Sequence, residues 1–208
     1  MAAPALTRLR RSVILNVMAR PSVKENIVAA ALETLHSRGF NATGVQDITD
    51  AAGVPKGSFY NHFESKEELG VEVIERYWQR ALASLSMLSD PNVPPLVRLK
   101  SYFRSLDEIS RKQKYQRGCL IGNMATEMSG QSRPIRERLA IILAAWSRGI
   151  ESCVREAQAD GSMRGDIDAK LIASFLLNAW EGTVMRAKVD KDRAALEAFE
   201  KVVFTSLS

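Results

Sequence analysis

The sequence has few cysteines and few histidines, two of each in 208 residues. Cys119 and Cys153 are too few for a disulfide framework, which favours a reducing cytoplasm. His36 and His62 belong to no cluster with metal-ligand spacing, and no nucleophile-and-base pairing or phosphate-binding loop is evident. We therefore expect no enzyme activity, no metal and no cofactor.

Long apolar runs and strand patterns are also missing. No run approaches the roughly 20 apolar residues that span a bilayer, which argues against a membrane protein. No stretch alternates apolar and polar residues between turn signals, so we expect no β-strand. Hydrophobic residues make up 46% and charged residues 25% of the chain, as in soluble globular proteins. The sequence therefore predicts an all-α fold in the cytoplasm.

Capping signals divide the chain into helices. Ser22 followed by Glu25, and Ser65 followed by Glu68, are capping boxes that begin helices. Glycine and proline supply the other boundaries of a helix near 45–52 and of one that Pro55 begins. We predict three parts: a basic, flexible tail over 1–21, a helix-turn-helix domain over 22–64, and a body over 65–208. Its long connecting helix reaches about residue 88, and further helices are expected near 96–112, 119–128, 134–159, 167–188 and 191–206.

The net charge of +5 is unevenly distributed. Between residues 22 and 78 acidic residues outnumber basic ones by nine to five, so bulk charge does not indicate a nucleic-acid partner. Arg8, Arg10 and Arg11 lie in the tail, where they suit either a DNA minor groove or, the interpretation we favour, a disordered extension. Met18 offers an alternative translation start.

The stretch PKGSFYNHF, residues 55–63, carries an unusual surface for a short helix. At 100° per residue, Phe59 and Phe63 share the inner face. The opposite face carries Gly57, Ser58, Asn61 and His62. Hydroxyl, amide and imidazole groups can bond to base edges and phosphates, and a glycine lets a phosphate approach. The residues alone leave two interpretations open: the second helix of a DNA-binding helix-turn-helix, or a small helical domain with a polar outer face.

The longer segment RGFNATGVQDITDAAGVPKGSFYNHFESKEEL, residues 38–69, resembles the N-terminal domain of the TetR family of transcriptional regulators. The resemblance implies a helix-turn-helix protein that binds a double-stranded DNA operator. It implies DNA contacts at Gln46, Lys56, Ser58, Tyr60, Asn61, His62 and Lys66, to which we add Gly57. The chain departs from the family pattern at Gly44, where a capping threonine is frequent.

The same resemblance implies that the body holds a small-molecule effector and forms a homodimer. The helix near 167–188 is apolar almost all round, so other chains or helices must cover it. We assign the dimer interface to the last two helices, at Phe175, Trp180, Leu196, Phe199 and Val203. The alternative is that these residues form a core within one chain, and helix spacing alone does not distinguish a core from a dimer interface.

The segment YQRGCLIGNMATEMSG, residues 115–130, offers a candidate effector site. Cys119, Asn123 and Glu127 recur every four residues and so share one line of a helix. They could line a cavity. The alternative is that Asn123 and Glu127 bond to neighbouring backbone or that Glu127 is exposed, and that Cys119 is a small buried hydrophobic residue. With residues 178–190, this segment resembles a TetR branch that responds to reactive electrophiles such as acrylate, quinones and maleimides. The resemblance makes Cys119 the sensing thiol. In that branch a lysine matching Lys188 lies nearby, and an ammonium group there would lower the thiol pKa, but the sequence does not show whether Lys188 reaches Cys119. Cys153 lacks such surroundings and is expected to be structural.

Aromatic residues complete the predicted effector site. We expect its walls at Trp78, Phe103, Trp146 and Trp180, with Tyr102 a further candidate. The sequence thus predicts a repressor that a small molecule releases from a palindromic operator, through Cys119 if the molecule is an electrophile. The alternative keeps the fold and takes a non-covalent aromatic or cationic effector, as multidrug-type regulators do, with Glu127 or Glu181 as counter-charge.

Overall fold

The computed structural model describes residues 22–207, and the predictions about the tail 1–21 lie outside them. This part of the chain forms nine α-helices and one 3-10 helix, and it contains no strand. None of these helices is both long and apolar enough to cross a membrane. The helices are α1 Val23–Arg38, α2 Val45–Ala52, α3 Gly57–Tyr60, α4 Lys66–Leu85, the 3-10 helix Ser86–Ser89, α5 Pro95–Lys112, α6 Leu120–Met128, α7 Arg133–Ala159, α8 Ala169–Asp190 and α9 Ala194–Ser206.

The predicted helix starts are confirmed at their caps. The Ser22 hydroxyl accepts the Glu25 N–H at 3.2 Å, and the Ser65 hydroxyl accepts the Glu68 N–H at 3.1 Å. Gly44 has no side chain to cap α2, but its own N–H donates to Asp47 Oδ2 at 2.7 Å. One half of a capping box therefore survives the loss of the hydroxyl group.

The first four helices share one core. Phe59 and Phe63 are buried, with rings 5.5 Å apart, and they anchor the short α3 against its neighbours. The α-helical part of this motif is only four residues long, shorter than the helix expected from Pro55 to about His62. Turn hydrogen bonds extend it, from Ser58 N to Pro55 O and from His62 N to Phe59 O. Ile48 of α2 and Leu69 of α4 complete this core.

The body packs α5, α7, α8 and α9 around aromatic side chains. Phe103 of α5 contacts Trp180 of α8 and Phe199 of α9, with ring centroids 5.3 Å and 5.1 Å apart. Trp78 of α4 packs on Trp146 of α7 at 6.0 Å, which joins the connecting helix to the body. Aromatic pairs in such tilted and edge-on arrangements stabilise a core beyond the area they bury.

Four of the five residues predicted at the dimer interface belong to the protomer's own core, which corrects that prediction. Trp180, Leu196, Phe199 and Val203 are buried inside the single chain, by contacts among α5, α8 and α9. Phe175 differs, because 57% of its surface is exposed. It lies on an exposed stripe of α8 with other large apolar side chains, at Leu171, Met185 and Val189. Helix α8 thus has two apolar faces. One is buried in the protomer, and the other is exposed.

Candidate effector cavity and DNA-binding surface

The residues predicted to read DNA lie together around α3. Lys56, Tyr60, Asn61 and His62 are exposed, and Tyr60 exposes 60% of its surface although Phe59 beside it is buried. A Cβ atom at residue 57 would meet nothing within 4 Å, so the backbone there is open to an approaching group. The predicted Gly57 is exposed and Ser58 half-buried on the same short helix. The structure thus gathers these side chains on one polar surface.

Two further predicted DNA contacts lie at its border. Gln46 on α2 is exposed, and its amide donates to Asp50 Oδ1 at 2.6 Å. Lys66 is engaged elsewhere: its ammonium group donates to the carbonyl oxygens of Phe40 at 3.1 Å and Thr43 at 3.0 Å. It also lies 4.3 Å from the centre of the Phe40 ring. In this conformation Lys66 therefore holds the turn before α2, and its contact with DNA stays a prediction.

A cavity of about 240 Å³ lies where α1, α4, α5 and α8 meet the segment between α5 and α6. Its floor is buried and its mouth carries the exposed charged side chains of Glu33 and Arg80. Its lining combines apolar and aromatic side chains with polar and charged ones, and a concave site of this kind can hold a small molecule. Its lining residues are Leu32, Glu33, His36, Tyr77, Arg80, Ala81, Ser84, Leu106, Ile109, Ser110, Gln113, Arg117, Gly118, Cys119, Trp146, Trp180 and Val184.

Cys119 occupies the floor of the cavity at the N-terminus of α6. Burial raises the pKa of its thiol well above the ordinary value, and the negative charge of Glu181 raises it further. The backbone N–H groups of Gly122 and Ile121 act in the opposite direction, as the start of a helix should, but they do not outweigh burial. The resting Cys119 is therefore a neutral thiol at pH 7.

Lys188, the residue that the resemblance offers as an activator of this thiol, has its ammonium group beside Asn123. Its ammonium group lies 3.5 Å from Asn123 Oδ1, and its aliphatic stem packs near Gly118. The strongest influences on the Cys119 pKa are burial and Glu181 rather than this ammonium group. The charged residue with the largest effect on the thiol pKa is therefore acidic, Glu181, whereas the resemblance offers a basic residue.

Three of the eight predicted effector residues line the cavity, namely Cys119, Trp146 and Trp180. The other five do not, because their side chains face neighbouring helices or loops. Trp78 packs behind Trp146, and Phe103 packs behind Trp180. Asn123 donates its amide to Arg117 O at 2.9 Å and accepts from Lys188.

Glu127 lies outside the cavity and, as in the alternative interpretation, bonds to a backbone group, here in the N-terminal part of the chain. Its Oε2 accepts the backbone N–H of Asn41 at 3.0 Å, just beyond the end of α1. Gly39 makes this possible: its φ is +92°, and a Cβ atom there would lie 2.6 Å from Glu127 Oε1. A carboxylate of α6 therefore stabilises the turn between α1 and α2.

Two more contacts join α1 to the segment before α6, and sequence reasoning missed both. His36 Nε2 donates to Gly118 O at 2.9 Å, and Arg117 Nη1 donates to Glu33 Oε2 at 2.7 Å. His36 is buried on the same face of α1 as Leu32, and burial lowers its pKa, so it binds as the neutral imidazole. The four-residue spacing of His36 from the apolar Leu32 indicated that His36 faces inward. It did not indicate that Gly118 is the hydrogen-bond partner.

The segment that carries Gly118 has an unusual backbone. Lys114, Tyr115 and Gly118 all have positive φ, at 52°, 54° and 71°. This region is uncommon for residues with a Cβ atom and costs on the order of 1–3 kcal/mol at each such residue. Contacts with α1 and with Lys188 hold this segment in place, and its two strained residues, Lys114 and Tyr115, lie between the lining residues Gln113 and Arg117.

Both halves of the chain match families of known proteins. Residues 27–73 match bacterial regulatory proteins of the tetR family, and residues 95–203 match the tetracyclin repressor-like C-terminal domain. The chain is 41% identical over 193 residues to the HTH-type transcriptional repressor DhaR of Mycobacterium sp. (strain GP1), covering 91% of this chain and 94% of that protein. It is 35% identical over 179 residues to the transcriptional regulator AcuR of Cereibacter sphaeroides, covering 85% and 81% of the two chains.

A solved structure shares the whole arrangement of helices. The regulatory protein TetR from Rhodobacter sphaeroides superposes with a TM-score of 0.84 at 33% identity, covering 89% of this chain and 99% of that one. The similarity therefore extends through the DNA-reading helices and the body together.

Proposed function

Because the chain belongs to the TetR family of bacterial transcriptional regulators, we propose that it is a repressor that a small molecule releases from its operator. Residues 22–64 form the DNA-binding domain and residues 65–208 form the connecting helix and the effector-binding, dimer-forming body. The protein acts in the cytoplasm, and no reaction is catalysed. The single observation that carries this proposal is the cavity wall, because α1 of the DNA-binding half supplies part of it.

The operator is read by the exposed surface around α3. Tyr60, Asn61 and His62 reach base edges in the major groove, while Lys56 and the open backbone at Gly57 meet phosphates. A two-fold dimer places two such surfaces in successive major grooves about 34–36 Å apart, so the operator is an inverted repeat.

The exposed stripe of α8 is the surface we propose for the dimer. Leu171, Phe175, Met185 and Val189 expose between 57% and 71% of their surfaces, and Val202 of α9 exposes 63%. Large apolar side chains that follow one helix face seldom stay in water unless a partner covers them. Pairing α8 and α9 with the same helices of a second copy buries both stripes in one isologous four-helix interface.

The effector signal reaches DNA through three contacts that join α1 and the turn after it to α6 and the segment before α6. They join His36 to Gly118, Glu33 to Arg117, and the turn at Asn41 to Glu127. An occupant of the cavity that displaces the strained segment before Cys119 loosens the first two contacts and shifts α1, on which α2 and α3 pack. Such an occupant must bind the DNA-free state more tightly than the DNA-bound state.

We propose an electrophile as the effector, with Cys119 as the atom it modifies. The thiol lines the cavity floor, which is where a bound molecule would meet it. The raised pKa of this thiol favours the second candidate, a non-covalent aromatic effector that packs between Trp146 and Trp180. The two candidates share the cavity and differ in whether a bond forms.

Fluorescence anisotropy with labelled DNA from the region flanking the gene separates these candidates. The wild-type protein is titrated onto the DNA, then methyl acrylate or N-ethylmaleimide is added. Covalent sensing predicts release from DNA that persists after dilution and disappears in Cys119→Ser. The matched control Cys153→Ser should respond like the wild type, because Cys153 is buried outside the cavity and donates to Pro95 O at 3.2 Å. Normal release of Cys119→Ser would refute covalent sensing, and failure to bind any of this DNA would count against the operator.

A further inference from the structure

Next to the Cys119 thiol, behind the residues that line the cavity, lies the carboxyl group of Glu181. Glu181 projects from α8 onto the first turn of α6, and a Cβ atom at residue 122 would lie 2.2 Å from its Oε2. Glycine at this position therefore leaves the space that the carboxyl group occupies. The other oxygen, Oε1, is buried and has no partner of good hydrogen-bond geometry among the described residues. Buried polar atoms usually have a partner, so this one calls for a function.

Among residues 22–207, the groups found to act on Glu181 include no cation. Tyr77 of α4 and Tyr102 of α5 both sense its charge, and both keep their protons because burial raises their pKa values. Burial raises the pKa of Glu181 to about 7, and the neighbouring side chain of Cys119, the N-cap residue of α6, opposes this shift. Lys188, further along α8, turns its ammonium group to Asn123.

Tyr77 closes the pair from the side of the DNA-binding half. Its hydroxyl lies 4.0 Å from Cys119 Sγ, and its ring packs edge-on against His36 of α1 at 5.5 Å between centroids. Within the described part of the chain, no positive charge appears among the main influences on the thiol, and the base that acts on it is the carboxylate of Glu181.

We propose that Glu181 is the base that takes the Cys119 proton when the thiol adds to an electron-poor alkene in the cavity. The inference depends on the electrophile candidate of the proposed function. As the sulfur forms a bond to the β-carbon, the S–H proton moves to the Glu181 carboxylate, and the electron pair of the C=C bond moves onto the α-carbon and its carbonyl group. The α-carbon then takes a proton from the carboxyl group, or from water, which leaves a thioether and consumes no oxidant.

This arrangement differs from activation by a nearby cation in a way that can be measured. A cation keeps the thiol ionised at all times, whereas a base removes the proton only as the new bond forms. The thiol then reacts slowly with reagents in bulk solution and faster with molecules that the cavity positions beside it. Glu181 provides selectivity for small alkenes that fit the cavity.

The test follows the mass of the protein during reaction with methyl acrylate, from pH 5.5 to 9, in a Cys153→Ser background. With Glu181 the rate constant rises and levels off near the pKa of the carboxyl group. Glu181→Gln should react at least tenfold more slowly at pH 7.5, since a positioned general base contributes roughly 10²–10⁴-fold. Its rate should rise in proportion to hydroxide concentration without a plateau.

A merely electrostatic role for Glu181 predicts the opposite sign. The charge of Glu181 raises the Cys119 pKa, so removing that charge would make the thiol more acidic and the reaction faster. An equal or faster reaction of Glu181→Gln, with an unchanged pH profile, would overturn the proposal. Gly122→Ala is a second variant, because it displaces the carboxyl group without removing it, and it should also lose the plateau. If the wild-type protein forms no adduct at Cys119, the electrophile candidate itself fails. If the adduct forms and Glu181→Gln does not change its rate, only the role of Glu181 as a base is rejected.

Discussion

Replacing Glu181 by glutamine should change how the stability of the protein depends on pH. Burial raises the pKa of this carboxyl group from 4.5 to about 7 in the folded chain. Between these two values the folded state binds more protons than the unfolded state, so the contribution of Glu181 to folding falls as pH rises. At 1.36 kcal/mol per pKa unit, the loss between pH 5 and pH 8 is about 2.5 kcal/mol.

Urea denaturation at pH 5 and pH 8, at one fixed protein concentration, measures this effect. The free energy of unfolding of the wild-type protein should fall relative to that of Glu181→Gln by about 2.5 kcal/mol over this range. Glu137→Gln is the matched control, since Glu137 is exposed on α7 and its ion pair with Arg133 lies in solvent. Such a surface pair contributes little, so the control should follow the wild type. If the wild type and Glu181→Gln change in parallel, the carboxyl group is not desolvated and the account of the cavity floor is wrong.

Three further changes test the interface, the core and the DNA surface. Phe175→Arg should convert the dimer to a monomer in light scattering, because it places a charge on the exposed stripe of α8; a persistent dimer would reject this interface. Trp180→Ala should reduce the free energy of unfolding by about 3–5 kcal/mol, since it leaves a hole beside Phe103 and Phe199; a loss below about 1 kcal/mol in urea would contradict that packing. Lys56→Ala should weaken operator binding and lower the slope of log K against log salt by about one, as a phosphate contact requires; an unchanged slope would place Lys56 away from the phosphates.

Most of the helix layout follows from local sequence. Caps at Ser22 and Ser65, and glycine or proline at other boundaries, act through the backbone of neighbouring residues, so a sequence displays them directly. Phe59 and Phe63 were predicted to anchor the short motif because a four-residue spacing places them on one face. The motif itself was expected to be a longer helix, but its ends are turns around a four-residue helix.

The cavity could be predicted only in part. Helical spacing shows which residues share one face of a helix, but it does not show which other element that face contacts. Cys119, Asn123 and Glu127 do share one line of the chain, yet each meets a different element: the cavity, Lys188 and the turn after α1. Glu181 was considered only as a counter-charge for a cationic effector. A glycine inside an apolar helix, at position 122, was the sequence signal that another group approaches there.

The dimer face was mistaken for a related reason. A helix that is apolar on all sides must be covered on all sides, but the sequence does not say which face the chain covers itself. Trp180 was assigned to the interface and lies in the protomer core, whereas Leu171 and Met185 remain exposed. Large aromatic side chains were assigned to the interface because they contribute strongly to interfaces, but they contribute as strongly to cores.

The link between the cavity and DNA needs only modest energies. A hundredfold change in operator affinity corresponds to about 2.8 kcal/mol, at 1.4 kcal/mol for each factor of ten. The hydrogen bonds of His36 to Gly118 and of Arg117 to Glu33 are each worth roughly 1 kcal/mol. Strain in the segment before Cys119 adds an amount of similar size when it is released. An effector that breaks these contacts, and so prefers the relaxed segment by about that sum, can therefore empty the operator without unfolding any helix.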